Sequence, residues 1–488
     1  MTEQLPDIGL ATLLAGMTGD DRLPDVRVSG LSLDARLLER GDAFVALGGR
    51  QAHGMDYLAD AIEAGAAAVI YDGIREVPPD CPLPAVAVEG LNDQLPVLAR
   101  RVWGDMTDMD LVAVTGTNGK TSVAWLLAQA IDGAMIGTLG VGRPGRHDPG
   151  SLTTPDLFSV YRSLARLRNQ GLTRVVLEAS SHALDQQRLA GLQFTTAIFT
   201  TLGHDHLDYH GDLEAYGKAK ARLFRDLSSR RQIINIDDIF GMNLARELKS
   251  SPGRITYGIQ TREPVDLRGC LLAANRSGLK AELSSQGQAM IVKAPLLGRI
   301  NLYNLLVVAA ELIARGLEPD QVVAICQRLE PVPGRMQPVV GPQGRTVVID
   351  YAHTPDALEN ILTSLRELAP SQLWCVFGCG GDRDQAKRPR MGRIAESLAD
   401  QVILTDDNPR HENSLTIIRA IQAGMRHPQR CHVIPDRATA IRKALNLAGD
   451  DDLILVAGKG HETEQIVGDR RLEFSDEAVV RQILEEAA

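Results

Sequence analysis

Gly116, Gly119, Lys120 and Thr121 fall within the seven residues GTNGKTS, and between them they supply what a phosphate chain needs. The two glycines let the backbone turn tightly and aim its N–H groups inward, Lys120 brings a mobile positive charge, and Thr121 offers a hydroxyl suited to Mg²⁺. Thr117, Asn118 and Ser122 complete the loop. The preceding LVAVT is a buried-strand pattern and the following SVAWLLAQAI suits a helix packed on a sheet, so strand, turn and helix stand where a phosphate-binding loop requires them. The usual eight-residue signature opens with glycine; here Val114 holds that position.

Further candidates follow strand-like runs. Glu178 closes RVVLE and precedes Ser180, Ser181, His182, Gln186 and Arg188. A carboxylate there can hold Mg²⁺ directly or through water, or simply pair with a lysine. GHDHLDYHG, from Gly203, packs three histidines and two aspartates into nine residues. His206 could ligate a metal or meet a phosphate, while His204 and His210 could be only turn residues. In LEAYGKAKARLFRDL, Lys218, Lys220 and Arg222 read as a solvated basic face, and in GRINLYN, Asn301 and Asn304 at a helix entry could cap it or bond a nucleotide. Past Arg335, polar residues gather after successive strands: Asp350, Tyr351 and His353; Gly380, Asp382, Arg383 and Asp384; Asp407, Asn408, Pro409 and Arg410; Gly458, Lys459, Gly460, His461 and Glu462. Four such loops on one edge suit a polar, multiply charged ligand.

The elements that must position these groups imply three domains, as expected for 488 residues. Residues 1–106 contain the short runs FVAL, AAAVIYD and PAVAVEG, a small α/β unit in which Arg36 and Arg40 look like surface arginines of an ordinary connection. Residues 107–335 alternate strand and helix, with a β-rich excursion over Asp238 to Gly287, and end at the linker-like PGRM. Residues 336–488 alternate again (RTVVID, LWCVFG, QVILT, CHVIP, DLILVAG), a doubly wound sheet without GxGxxG. The net charge of -10 argues against a broad basic nucleic-acid surface, so anions must meet local positive sites. Six cysteines without CxxC spacing suggest a reduced compartment and no structural zinc. MTEQLPDIGLATLLAG has no basic n-region and the apolar run LLVVAA stops at Glu311, so a cytoplasmic chain without membrane insertion is expected.

GTNGKTS from Gly116, LEASSHAL from Leu177, HDHLDYHG from His204, the Tyr216-to-Lys220 segment, NLYN from Asn301, GRM from Gly334, DYAHTPDAL from Asp350, GCGGDRD from Gly378, DNPR from Asp407 and GKGHE from Gly458 occur in this order. In this the chain resembles the Mur ligases, ATP-dependent amide-bond-forming enzymes of peptidoglycan synthesis. Within the family the resemblance is to the members that add the third peptide residue, and DNPR resembles the version taking meso-diaminopimelate. A lysine-adding ligase or a folylpolyglutamate-type synthetase is the alternative.

The resemblance implies α/β architecture in three domains, with a central P-loop mononucleotide-binding domain and a C-terminal Rossmann-like domain. It implies that ATP phosphorylates the substrate carboxylate, and that an amine then displaces phosphate. Lys120 and the loop amides would steady the transferring phosphate, Thr121 and Glu178 would hold one Mg²⁺ and His206 a second, and Lys220, rather than Lys218, would be carbamylated. UDP-MurNAc-L-Ala-D-Glu would meet Thr153, Thr154, Ser180, Gln186 and Arg188, with Ser32 at the UDP end. Ala35 and His53 stand where the family pattern has serine and aspartate. Asn301, Arg335 and Asp350 would meet ATP across the domain boundary. Arg410 would bind the far carboxylate of diaminopimelate and Glu462 its ammonium, with Arg383, Asp407, Asn408 and Gly458 completing the pocket. A monomer is expected.

Overall fold

A computed structural model describes residues 7–486 apart from 20–22, 50, 51, 151 and 286; the first six residues of the N-terminal stretch lie outside it. The chain forms two compact units, 1–234 with 240–254 and 235–239 with 255–488.

The first unit opens with a four-stranded parallel sheet of Leu31–Ser32, Ala43–Ala46, Ala68–Tyr71 and Ala85–Ala87, which buries Phe44, Ala46 and Val69 against Leu58 and Ala61. Arg36 is exposed and pairs with Asp34 at 2.6 Å, as a surface arginine should. Asp42 behaves differently: it is buried and paired with Arg162 of the Leu157–Asn169 helix, whose guanidinium also donates to the Leu31 carbonyl at 3.1 Å.

A second sheet of this unit has the strand order Arg146–Asp148, Gly140–Arg143, Ala134–Gly137, Arg174–Glu178, Asp110–Thr115, Phe194–Phe199, Ser229–Asn235. The last five are parallel. Their continuous apolar runs, LVAV and VVL among them, suit strands covered on both faces. Register does the positioning. Glu178 lies beside Val114 and Phe199 beside Thr115, so the strand ends bearing Glu178 and Thr200 flank the turn that starts at Gly116.

In the second unit the expected β-rich excursion is present as Arg254–Gly258, Leu267–Asn275, Gly278–Ser285 and Gln288–Ala294. A helix at Ile239–Glu247, which the sequence pattern did not reveal, precedes it in the chain and belongs, from Phe240 on, to the first unit. The helix Gly298–Ala314 corrects one expectation. Its N-cap is Leu297, and Asn301 and Asn304 lie inside the helix, buried, with Asn301 donating to the Leu297 carbonyl at 2.9 Å and Asn304 to the Asn301 side chain at 2.9 Å. They therefore do not cap it; the entry to this helix lies one turn earlier than its polar residues suggest.

The last sheet has the order Gln337–Val340, Thr346–Asp350, Leu453–Ala457, Leu373–Phe377, Gln401–Leu404, His432–Val433, all parallel but the first. Alternation sends successive side chains to opposite faces. Val348, Cys375 and Leu455 pack under helices Pro355–Arg366, Lys387–Leu398 and Ser414–Gln422, whereas Ile349, Val376 and Val456 pack under Arg437–Leu447 and Asp476–Glu486. This is the expected doubly wound arrangement, and it gathers the four polar loops at one sheet edge. Among the described residues no helix is long and apolar enough to cross a membrane.

Candidate active site

The loop Gly116–Thr121 is strapped down by the strand end beside it. Thr117 N–H donates to the Thr201 carbonyl at 2.7 Å, Gly203 N–H to the Thr117 hydroxyl at 2.8 Å, and the Thr200 hydroxyl to the Asn118 carbonyl at 2.6 Å. Gly116 is obligatory: at its φ of 148° a Cβ would lie 1.9 Å from the Thr200 hydroxyl oxygen. Gly119, at φ 88°, turns the chain into the helix Lys120–Ala130, whose first-turn amides have no intrahelical acceptors and face the loop. The Lys120 ammonium folds back onto the Gly116 and Thr117 carbonyls at 2.8 and 2.9 Å. Ser122 is buried in the first turn.

Glu178 is fully buried and accepts the Thr121 hydroxyl at 2.9 Å, the Thr138 amide at 2.7 Å and the Thr138 hydroxyl at 3.3 Å. Gly137 makes room for it, since a Cβ there would lie 2.3 Å from the carboxylate. A carboxylate beside two hydroxyls is a set of hard oxygens, which suits Mg²⁺, an ion that takes one or two carboxylates and keeps several waters. Among the described residues there is no group of three or more His, Cys, Asp or Glu placed to hold a metal ion.

Lys220 corrects the expectation of a solvated basic face. Lys218 is exposed and pairs with Glu214 at 2.6 Å, but Lys220 is 1% exposed and donates to the Gly116 carbonyl at 2.8 Å, its ammonium 4.2 Å from the Tyr216 ring centroid. With 3.6 residues per turn, positions two apart point to nearly opposite sides of a helix, and here one side is core. Burial, with repulsion from Lys120, pulls the Lys220 pKa well below that of an ordinary lysine. His206 takes a left-handed φ of 53° and sets its ring edge-on to His182 at 4.8 Å and to Tyr216 at 6.2 Å. Burial and the neighbouring His206 and His210 push His182 down to about 4, so it is a neutral imidazole. His210 meets the Ser181 hydroxyl at 3.0 Å, and is thus more than a turn residue.

The residues expected around the peptide substrate form one hydrogen-bonded group. Thr154 donates to the Glu178 carbonyl at 2.7 Å and sits 3.2 Å from the Ser180 hydroxyl, Thr153 meets Thr138 at 3.0 Å, and Arg188 holds the Thr154 carbonyl at 2.6 Å and the Gln186 side chain at 2.7 Å. Tyr209, which sequence reasoning passed over, accepts from Gln186 at 3.0 Å and donates to Asp185 at 2.8 Å. Ser32 is not joined to this group; it is buried in the small parallel sheet, donating to the Asp34 carbonyl at 2.8 Å.

The second unit holds its own polar centre. Asp407 and Asn408 are buried, and Arg410, at φ 49°, reaches the Gly381 carbonyl at 2.9 Å. Arg383 is exposed on the Gly378–Asp384 loop. Gly458 takes φ 115° beside the Asp407 carboxylate, whose Oδ1 has no partner. Burial raises the Asp407 carboxyl, with Arg437 and Lys459 pulling it back only in part. Burial works most strongly against the charge of Glu462, but Lys459, Asn408 and His461 together outweigh it and hold this carboxyl below its ordinary range. Asp350 accepts the Met336 and Ala352 amides at 2.7 and 2.8 Å, and the Arg335 guanidinium lies 4.3 Å from the Tyr351 ring centroid. Sequence reasoning missed Arg437 and Asp476, a fully buried ion pair at 2.7 Å beneath the loops, because nothing local distinguishes a buried arginine from an exposed one. It also left Lys459 without a role, although two flanking glycines were the available signal.

Three family models match in succession: "Mur ligase family, catalytic domain" over residues 27–103, "Mur ligase middle domain" over 114–312 and "Mur ligase, glutamate ligase domain" over 334–460. The chain belongs to the Mur ligase family. A relative from Alkalilimnicola ehrlichii named UDP-N-acetylmuramoyl-L-alanyl-D-glutamate--2,6-diaminopimelate ligase is 45% identical, with 98% of this chain and 99% of the relative covered. One of the same name from Pseudomonas aeruginosa is 44% identical over 93% of this chain and 94% of its own length. A solved structure bearing that name superposes with a TM-score of 0.70 at 34% identity, covering 99% of each chain. Against this family background Val114, in place of the signature's first glycine, is a buried residue inside the strand Asp110–Thr115 and not part of a loop.

Proposed function

We propose that this Mur ligase joins an amino group of meso-diaminopimelate to the D-Glu carboxylate of UDP-MurNAc-L-Ala-D-Glu, consuming ATP and releasing ADP and phosphate in cytoplasmic peptidoglycan precursor synthesis. The observation that carries the reading is the near full-length similarity, at 45% identity, to a relative of that name. The γ-phosphoryl group passes from ATP to the carboxylate, giving an acyl phosphate and ADP; the amine then attacks the acyl carbon, phosphate leaves with the C–O electron pair, and the amine gives up a proton.

Lys120 and the first-turn amides stabilise charge on the transferring phosphoryl group. Thr121 and Glu178 would hold one Mg²⁺, and His206 with carbamylated Lys220 a second. Bound Mg²⁺ supplies neutralisation of phosphate charge. Carbamylation replaces an ammonium by an anionic oxygen donor, and so removes the repulsion between Lys220 and Lys120. Thr153, Thr154, Ser180, Gln186 and Arg188 orient the peptide, Ser32 belongs to the UDP end, and Asn301, Arg335 and Asp350 serve ATP. Arg410 takes the distal carboxylate of diaminopimelate and Glu462 the ammonium beside it, with Arg383, Asp407, Asn408 and Gly458 around them. On this reading 1–106 serves the UDP end, 107–335 ATP and 336–488 the amino acid, a division supported by the order of the family models.

The test is phosphate release from ATP with UDP-MurNAc-L-Ala-D-Glu, comparing meso-diaminopimelate, lysine and ornithine. Loss of the partner for one buried charged group costs about 1.5–3 kcal/mol, so discrimination of roughly 10- to 100-fold is expected. Equal turnover with lysine overturns the assignment of the amine.

A further inference from the structure

Lys459 is fully buried, yet all three protons of its ammonium have acceptors: Asn408 Oδ1 at 3.2 Å, Glu462 Oε2 at 2.9 Å and the Glu464 carbonyl at 2.6 Å. It lies between Gly458 at φ 115° and Gly460 at φ 54°, backbone conformations that favour glycine on either side of it. Gly460 is also required sterically, since a Cβ would lie 2.8 Å from the Gly334 carbonyl oxygen.

Two of the three acceptors, Asn408 and Glu462, are side chains that the proposed function puts against the amine substrate. Asn408 Oδ1 also accepts the Ile466 amide at 3.0 Å, and its Nδ2 donates to Glu462 Oε2 at 2.9 Å. Two donors thus hold one oxygen of Glu462 while its amide neighbour is fixed in a single orientation. The strand Glu464–Val467, tethered by Lys459 at its first carbonyl, carries Arg410 in turn: Arg410 N–H donates to the Ile466 carbonyl at 3.0 Å, and Gly468 N–H to the Arg410 carbonyl at 2.7 Å. A side-chain amide, a carboxylate and a guanidinium-bearing loop therefore converge on one buried cation.

We propose that Lys459 is a positioning residue for the amine substrate, holding Asn408, Glu462 and the Glu464–Val467 strand so that Glu462 and Arg410 meet the two charges at the distal end of diaminopimelate. This rests on the proposed function. A buried lysine placed only for stability would couple equally to every substrate; this one touches the amine-binding residues alone among those assigned, so its removal should be felt in one Michaelis constant.

The test measures phosphate release by the full-length Lys459→Met variant while each substrate is varied in turn. KM for diaminopimelate should rise about 10- to 100-fold, KM for ATP and for the UDP-dipeptide should stay within about 3-fold, and the preference for diaminopimelate over lysine should shrink by about 10-fold or more. If Lys459→Met does not fold, Lys459→Gln, which keeps an N–H donor, carries the same comparison. In a folded variant an unchanged KM for diaminopimelate, or equal increases in all three constants, overturns the role of Lys459. No turnover of diaminopimelate by the unaltered enzyme overturns the functional reading itself, and with it the assignment of Lys459 to that substrate.

Discussion

Replacing Arg437 by Met should destabilise the second unit severely, and replacing Asp476 at the same time should restore most of the loss. Arg437 and Asp476 are both inaccessible to water and share two hydrogen bonds, at 2.7 and 2.8 Å, while the remaining Arg437 donors reach the Ala457 carbonyl at 2.9 Å and the Asp406 carbonyl at 3.2 Å. Two charge-assisted bonds at about 1.5–3 kcal/mol each give about 3–6 kcal/mol, in line with the roughly 3–5 kcal/mol typical when one partner of a buried pair is removed and the other is left uncompensated. At about 2–4 °C per kcal/mol for a body of this size, the transition should fall by roughly 6–24 °C. The double variant Arg437→Met, Asp476→Leu leaves no charge stranded and should lie within about 1–2 kcal/mol of the parent. Urea unfolding can be followed through Trp374 of the same sheet, whose indole N–H bonds Asp452 just ahead of the strand Leu453–Ala457, in a background with Trp103 and Trp125 replaced by Phe. A single variant costing under about 1 kcal/mol, or a double variant as unstable as the single, would refute the reasoning. Because the guanidinium ties the ends of the strands Gln401–Leu404 and Leu453–Ala457, just ahead of Asp407 and Gly458, the stable double variant should still bind diaminopimelate less well than ATP by comparison with the parent.

Two further outcomes follow from the site. Lys220→Ala should lower phosphate release by about 100-fold or more, and the unaltered protein should take up labelled carbon from bicarbonate at Lys220; near-normal turnover of the variant would remove that lysine from the chemistry. Asp407→Asn should stabilise the protein at neutral pH while weakening diaminopimelate binding. Burial raises the Asp407 carboxyl, so the folded chain holds that proton to a higher pH than the unfolded chain, and ionisation weakens the fold. The advantage of asparagine should therefore be absent below about pH 4, the ordinary aspartate range, and grow as pH rises through the folded value. Melting curves of both proteins across that range check the sign.

Much of the site was legible because its residues are consecutive. GTNGKTS states a phosphate-binding chemistry in residue types a few positions apart, DNPR and GKGHE stand out as charged, polar loops, and the apolar runs before them identify the strands whose ends they follow. The alternation of strands and helices was equally plain, since periodicity is a local property. The helix at Ile239–Glu247 escaped because a nine-residue helix among polar turns carries little periodic signal. The asparagines of Gly298–Ala314 were misplaced by a turn because a buried asparagine and a capping one are the same letter.

What the sequence by itself determined is the phosphate-loop residues, the polar groups that gather after the later strands, and the strand–loop order that delivers them. What only the tertiary structure decided is which charges are buried and whom they face: Lys220 and not Lys218, Glu178 against Thr121 and Thr138, Arg437 against Asp476, and Lys459 against Asn408 and Glu462. The reason is physical. A lysine or arginine has the same composition and local propensity on either side of a helix, and the electrostatics that make it functional arise only when distant strands exclude water around it.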